Sequence, residues 1–285
     1  MRYSILLVFL LESFTTLSFA QFNPGARQIS MAASDVGMSD DVFAVFNNPS
    51  GLGQICWREI GVYYSPSPFG LTELANGFIA YNEPFGFGSL AVGGMSYGFE
   101  LYRENKITFA SSYYYSKHIF FGVSLNFHTI SIQNYGSDNA YYINLGGLFY
   151  LTNNLRLGFS VQNLNRASFG KDNGNIPQIM NTGFSYDFNN DFTFNLAVEK
   201  DTRYNYSLRG GFEFNIIENL SLRSGFSNEP SQYSAGLGIN YSFFNLDYAF
   251  FTHSDLGITH QAGLIISFGV DGNRKKKIRE YLEIE

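Results

Sequence analysis

The sequence predicts an all-β protein, a transmembrane antiparallel β-barrel of about 14 strands. The chain has 30 Phe and 20 Tyr, and such enrichment in aromatic residues is typical of strands. Apolar and polar residues also alternate in runs of about eight to twelve residues between positions 56 and 270. Successive runs are connected alternately by short turns and by longer polar loops, as in membrane barrels.

Residues 1–20 predict a signal peptide. Arg2 precedes an apolar run over residues 5–11, and residues 18–20 read Ser-Phe-Ala, a small-x-small cleavage site. The alternative is an N-terminal membrane anchor, but Glu12 interrupts the run and the run is too short to span a bilayer as a helix. We therefore expect the mature chain to be exported.

Residues 21–55 do not alternate, and they predict a short helix followed by a turn. Ser39-Asp40-Asp41 provides a helix N-cap, and Asn48-Pro49 breaks the helix. The backbone polar groups of such a segment would have no partners in hydrocarbon, so the segment must lie in a lumen or in the periplasm.

Residues 56–270 predict the barrel wall. In one clear run the apolar face carries Phe192, Phe194, Leu196 and Val198, and the other face carries Thr193, Asn195, Ala197 and Glu199. This period of two follows from the pleat of a strand. Gly, Ser and Asn dominate the polar faces of these runs, whereas a soluble sandwich would carry more Lys, Glu and Thr there. We therefore expect the apolar faces to contact lipid and the polar faces to enclose a lumen.

The connections define the two ends of the predicted barrel. The short turns lie at 82–84, 116–118, 152–154, 188–191, 217–219 and 243–245, and the longer loops at 65–72, 99–105, 133–139, 165–178, 200–205, 227–231 and 253–257. An even number of strands returns the C-terminus to the side of the short turns, which is the periplasmic side of an outer-membrane barrel.

Charges with inward parity are the candidate lumen residues. They are Arg156, Asp187, Glu199, Arg209, Glu213, Arg223 and Asp247. Opposite charges in a narrow lumen should pair, either to brace the wall or to select a solute. We interpret the pairs Gly93-Gly94, Gly146-Gly147 and Gly210-Gly211 as bulges or as places where another segment approaches the wall.

Aromatic residues near the predicted strand ends indicate interfacial girdles. These residues are Trp57, Tyr63, Tyr64, Tyr113, Tyr114, Tyr115, Tyr141 and Tyr142. Residues 271–285 follow the last strand and contain the basic run 274–277. A charge run is usually solvated surface, so we expect a solvent-exposed tail, with docking to a periplasmic partner or to peptidoglycan as the alternative.

The N-terminal region resembles a known family. The sequences Gly25-Ala26-Arg27, Met31-Ala32-Ala33, Ser39-Asp40-Asp41 and Asn48-Pro49-Ser50-Gly51-Leu52 are similar to the N-terminal pattern of FadL-like outer-membrane barrels, particularly the PorV/PorQ branch of Bacteroidetes and related bacteria. The resemblance implies that residues 21–55 form a hatch segment in the lumen of a 14-stranded barrel, with Arg27, Asp40, Asp41, Asn48 and Pro49 as its motif residues. The external loops are too short for the ligand-collecting groove of the family's fatty-acid transporters.

Three functions follow from this resemblance and this architecture. The protein either transports small hydrophobic molecules, or assists the type IX secretion system, or has a structural or adhesive role through loops such as 165–178. Its expected partners are outer-membrane lipid, hydrophobic small molecules and secretion components, and the net charge of -6 gives no reason to expect nucleic acid. The four His residues lack ligand spacing and no nucleophile or phosphate-loop motif is present, so we expect no enzyme activity and no cofactor.

Overall fold

The computed structural model describes residues 24–170, 174–253, 256–269 and 273–284. The strands are β1 (Arg58–Ser65), β2 (Asn76–Phe85), β3 (Gly88–Gly98), β4 (Tyr102–Ser116), β5 (Ile119–Ile132), β6 (Gly136–Tyr150), β7 (Leu155–Gln162), β8 (Ser168–Phe169), β9 (Gly174–Asn175), β10 (Ile179–Asp187), β11 (Phe192–Asp201), β12 (Tyr206–Ile217), β13 (Leu220–Asn228), β14 (Ser231–Tyr241), β15 (Phe244–His253) and β16 (Gly257–Phe268). All except β8 and β9 form one closed antiparallel barrel, in which β1 pairs with β16. The predicted fold class is confirmed. The predicted signal peptide lies outside the described residues.

The wall of the barrel has the two faces that the alternation predicts. Leu196 is 38% exposed, whereas its neighbour Ala197 is only 1% exposed. Most Phe, Leu, Ile and Val side chains of the other long strands also point outward, and most Ser, Asn and Thr side chains point inward. The outer surface is therefore the apolar band of a barrel that crosses hydrocarbon.

The two ends of the barrel differ, but several predicted connections were too long. The loops predicted at 99–105, 133–139 and 227–231 shrink to 99–101, 133–135 and 229–230, and the turn predicted at 243–245 ends before Phe244, because the flanking residues pair in strands. Both termini of the barrel wall, Arg58 and Phe268, lie at the end with the short turns, which we call the turn end. The opposite end, the loop end, carries the long loops 66–75 and 163–178. The prediction of a turn at 82–84 was wrong, because these residues pair with β3 inside β2 and the turn follows at Gly86.

The prediction of the aromatic girdle was half wrong. Tyr64, Tyr113, Tyr115 and Tyr141 are exposed on the outer surface, but Trp57, Tyr63 and Tyr142 are buried and Tyr114 packs against the core. Adjacent residues of a strand point to opposite faces, so a consecutive pair of tyrosines contributes one side chain to the girdle and one to the interior.

Residues 24–55 fill the inside of the barrel. They contain helix α1 (Ala26–Ser30), a 3-10 turn (Asp35–Gly37), helix α2 (Ala44–Asn47) and a second 3-10 turn (Pro49–Gln54). Almost every residue of this segment is buried, and α1 contacts β13 to β16 while the second 3-10 turn contacts β3 to β6. We call the described part of this segment, residues 24–55, the hatch. None of the helices in the described residues is long and apolar enough to cross a membrane.

Inward-facing glycines provide the space that the hatch occupies. A Cβ atom on Gly93 would lie 2.4 Å from the Phe46 ring, and one on Gly146 would lie 2.1 Å from Asn48 Oδ1. The other glycine of each pair points outward, as Gly147 does beneath the Phe159 ring. The paired glycines therefore mark close approach on both faces of the wall.

Gly122 offers a test of this close fit. A Cβ atom there would lie 2.2 Å from Ser50 N, so Gly122→Ala must displace the backbone of the hatch. We expect a loss of about 1–3 kcal/mol in the free energy of unfolding, measured by denaturant titration in detergent. Gly77→Ala is the matched control, because its nearest contact would be an ordinary 3.5 Å. Equal stability of the two variants would contradict the fit.

The C-terminal tail is not the solvated extension that we expected. Residues Arg274–Leu282 form helix α3, in which Ile278 and Leu282 are buried in the same apolar cluster as Leu52 and Ile55 of the hatch. Helix α3 also packs against the second 3-10 turn of the hatch. The prediction of a solvated tail was wrong because the helical spacing of Ile278 and Leu282 places both on one face, which packs on the hatch at the turn end of the lumen.

Candidate functional site: the plugged lumen

Arg27 is the centre of the contacts between the hatch and the wall. Its guanidinium donates to both carboxylate oxygens of Glu213 on β12, from Nε at 2.8 Å and from a terminal nitrogen at 2.9 Å. The other terminal nitrogen pairs with Asp40 and lies 3.5 Å from Asp41, both in the hatch. Arg27 is 8% exposed, so one buried cation joins three buried carboxylates.

The wall continues this network through paired strands. Glu213 lies opposite Arg223 in the register of β12 and β13, and Arg223 Nε donates to Glu213 at 2.6 Å. Another nitrogen of Arg223 donates to Asp247 on β15 at 2.5 Å. Carboxylates and arginines alternate along this chain of contacts, which compensates charges that would be costly to bury alone.

A second branch runs from the hatch to β7 and β10, which lie beyond β11 from β12 in the barrel. Arg156 on β7 pairs with Asp187 on β10 at 3.2 Å, and its other terminal nitrogen lies 4.0 Å from Asp40. Lys275 of α3 reaches the same Asp187 at 3.1 Å. The two branches connect the hatch, the wall and the C-terminal helix.

Asn48 and Pro49 shape the turn between the two helical parts of the hatch. Asn48 Nδ2 donates to the carbonyl oxygen of Val36 at 2.9 Å, and its Oδ1 accepts from the Ser50 hydroxyl at 2.6 Å. Pro49 occupies the first position of the 3-10 turn, where its missing N–H is tolerated. These hydrogen bonds connect two segments of the hatch backbone, around Val36 and around Ser50.

Glu59 is a lumen charge that our sequence reasoning missed. It is fully buried on β1 and accepts from Trp57 Nε1 at 2.7 Å and from the backbone of Val42 at 3.1 Å. Arg274 of α3 pairs with it at 2.5 Å. Burial alone would lower the pKa of Arg274, but the Glu59 carboxylate raises it above its usual value, so the cation is retained. Glu59, Gly61 and Tyr63 occupy every second position of β1 and share its inward face. The alternation of faces along β1 was therefore the signal that could have identified Glu59 as a lumen charge.

A further polar cluster on β4 and β5 was also missed. His128 Nε2 lies 2.9 Å from Glu104, and the Tyr102 hydroxyl donates to the same carboxylate at 2.5 Å. Phe169 of the loop 163–178 packs on the His128 ring at 5.0 Å and is buried. The loop assigned to the adhesive hypothesis therefore folds, over this described part, onto the inside of its own barrel.

A cavity of about 410 Å³ occupies the remaining part of the loop end. Ile29 and Ala32 of the hatch contribute to its lining, as do Phe69 of the loop 66–75 and Phe251 of β15. Glu199 and Arg209, two of the seven predicted lumen charges, also line it and pair with each other at 2.5 Å. We call this cavity the vestibule. The other five predicted charges belong to the network around Arg27 and Arg156.

The chemistry of these clusters is electrostatic and steric. Among the described residues no group of His, Cys, Asp or Glu is arranged to hold a metal ion. The hatch fills much of the lumen, the ion pairs hold the hatch in place, and the vestibule is large enough for a small organic molecule.

Comparison with known proteins gives structural likeness only. No protein-family model matches the chain, and no curated protein matches it. The CymD monoaromatic hydrocarbon channel superposes with a TM-score of 0.65 at 13% identity, covering 86% of this chain and 96% of that chain. The chain shares that channel's fold.

Two further solved structures agree. The Ralstonia pickettii toluene transporter TbuX matches with a TM-score of 0.61 at 11% identity, covering 88% of this chain and 98% of that chain. The P. putida toluene transporter TodX matches with a TM-score of 0.63 at 13% identity, covering 85% of this chain and 97% of that chain. At these identities the likeness concerns the fold alone, and it covers most of each chain.

Proposed function

We propose that this chain is an outer-membrane channel for small hydrophobic molecules. The vestibule is the observation that carries the proposal, since it places apolar side chains such as Phe69 and Phe251 at the loop end, directly above the hatch. A molecule collected there must pass the hatch to reach the turn end. A path past the hatch would require both its ion pairs and its packing against the wall to shift.

The location and the substrate class have separate support. A closed barrel with an apolar outer band fits the outer membrane, whose lipid would contact that band, and a signal peptide at residues 1–20 would direct export. The titles of the similar structures name a monoaromatic hydrocarbon channel and toluene transporters. FadL-like transport of small apolar molecules is the function common to these observations.

Uptake by intact cells tests this proposal, because liposome bilayers pass apolar molecules without a protein. We expect cells that express the protein to accumulate the fluorescent probe N-phenylnaphthylamine faster than cells with an empty vector. Ser207→Trp places an indole in the vestibule and should return the rate to the vector level. Leu208→Trp, which points outward from the same strand, is the matched control. Folded protein without faster uptake would reject transport.

An accessory role in type IX secretion, within the PorV/PorQ branch, is the second candidate. The short connections at the loop end favour it, because the loops 99–101, 133–135, 202–205 and 229–230 leave a low rim on which a protein partner can rest. The motif residues of the hatch carry the resemblance to this branch. Deletion of the gene should then retain secreted cargo in the periplasm, and the protein should be recovered with secretion components. Normal secretion in the deletion strain would exclude this role.

A further inference from the structure

Three polar side chains form a row on one wall of the vestibule. Asn76 of β2 lies opposite Ser65 of β1 in the strand register. On the other side of β1, Tyr64 pairs with Ala262 of β16, so the next residues in the same register, Ser65 and Gln261, also lie side by side. All three side chains line the vestibule and are at most 5% exposed. We call Asn76, Ser65 and Gln261 the polar row.

Two donors of the polar row are poorly satisfied. Gln261 Oε1 accepts from the Tyr63 hydroxyl at 2.8 Å, and Gln261 Nε2 has no hydrogen-bond partner among the residues that the structure describes. The Asn76 amide reaches a backbone oxygen only at 3.4 Å. The Ser65 hydroxyl is better placed, because it lies 3.4 Å from a backbone oxygen and also hydrogen-bonds Tyr63. A buried donor without a good acceptor is unfavourable, so an acceptor supplied by a ligand would be favoured here.

The surroundings of the polar row are apolar. Phe251 lies diagonally across from Gln261 on the adjacent strand, and its ring makes an edge-to-face contact with Phe69 at 5.8 Å between centroids. Ile29 of the hatch contributes to the same lining. A ligand oxygen at the polar row would therefore have a hydrophobic body beside these side chains.

The arginines of the vestibule are already paired, which disfavours an anionic ligand. Arg209 pairs with Glu199 at 2.5 Å, and Arg203 pairs with Asp201 at 2.7 Å. An anionic ligand would have to displace a carboxylate from one of these arginines. A neutral ligand leaves both pairs intact.

We propose that the vestibule binds an uncharged molecule with an apolar body and one hydrogen-bond acceptor, such as the oxygen of a ketone, ether or alcohol. The polar row binds the acceptor, principally through Gln261 Nε2, and the rings of Phe69 and Phe251 contact the body. This inference rests on the proposed transport function and names the substrate class of its first binding site.

Two matched probes test the proposal by fluorine NMR on the purified protein in detergent. The first is 4-fluoroacetophenone, and the second is 1-ethyl-4-fluorobenzene, which has a similar shape but lacks the acceptor. We expect the protein to bind the ketone about five-fold more tightly than the hydrocarbon. Gln261→Met, which keeps the length of the side chain but removes the donor, should weaken ketone binding about five-fold and leave hydrocarbon binding unchanged. Each probe is first titrated into the same micelles without protein, and its affinity is corrected for this partition. The comparison of one probe between the unmodified protein and a variant needs no such correction.

The controls separate this inference from folding and from transport. Gln178→Met removes a buried glutamine outside the vestibule and should leave both affinities unchanged. If Gln261→Met does not fold, Ser65→Ala tests the same row and should also weaken the ketone selectively. Equal affinity of the two probes for the unmodified protein, or no binding of either, would overturn the inference. Uptake of N-phenylnaphthylamine by cells does not require a hydrogen bond to the polar row. It therefore reports separately on whether transport itself fails.

Discussion

Replacing Arg27 with alanine is expected to lower the free energy of unfolding by about 3–5 kcal/mol. The substitution leaves Glu213, Asp40 and Asp41 buried without the cation that joins them. Denaturant titration in detergent measures the loss. We also expect larger single-channel conductance in planar bilayers, because the hatch loses its main attachment to β12.

Arg58→Ala is the control for this prediction. Arg58 forms an ion pair with Glu83 on the outer surface, where its side chain is 62% exposed, and exposed pairs contribute only about 0–1 kcal/mol. The two variants therefore remove the same chemical group from a buried and from an exposed pair. Similar stability losses in both would show that the Arg27 network does not hold the hatch.

Detaching the C-terminal helix should have the second large effect. The double substitution Ile278→Asp/Leu282→Asp removes two buried side chains from the apolar cluster shared with the hatch. We expect a loss on the order of 5 kcal/mol, since each side chain contributes about 1.5–3 kcal/mol and a buried carboxylate adds a penalty. Hydrogen exchange should increase in the second 3-10 turn of the hatch, which α3 covers.

The control variant for the helix is Lys276→Ala, which changes an exposed residue of α3 and should leave exchange in the hatch unchanged. If the hatch of the double variant kept its protection from hydrogen exchange, α3 would not cover the turn end of the lumen. Loss of protection confined to residues 273–284 would lead to the same conclusion.

The sequence predicts the wall more completely than the interior. Period-two alternation is a local property, so it identified the strands, their inner and outer faces and the number of connections from short windows of residues. It also assigned inward parity to Arg209 and Glu213, and the structure places both in the lumen. The same rule was not applied to β1 and β4, which is why Glu59 and Glu104 were missed.

Pairing inside the lumen could not be obtained in this way. Arg27 and Glu213 are 186 positions apart, and closure of the barrel alone decides that they meet. The same holds for Arg274 and Glu59, because the C-terminal helix returns to the turn end where β1 begins. Parity states that a charge faces inward, but it does not state which other charge lies within reach.

By itself, the sequence determined a closed wall with an apolar exterior. The pleat of a strand sends successive side chains to opposite faces, and this alternation does not depend on contacts between distant residues. The tertiary structure decided what fills that wall: the hatch resting on inward glycines, the ion pairs that fix it, and the helix that covers the turn end. It also decided that Asn76, Ser65 and Gln261 stand in one row, because only the register of three strands places residues so far apart in sequence side by side.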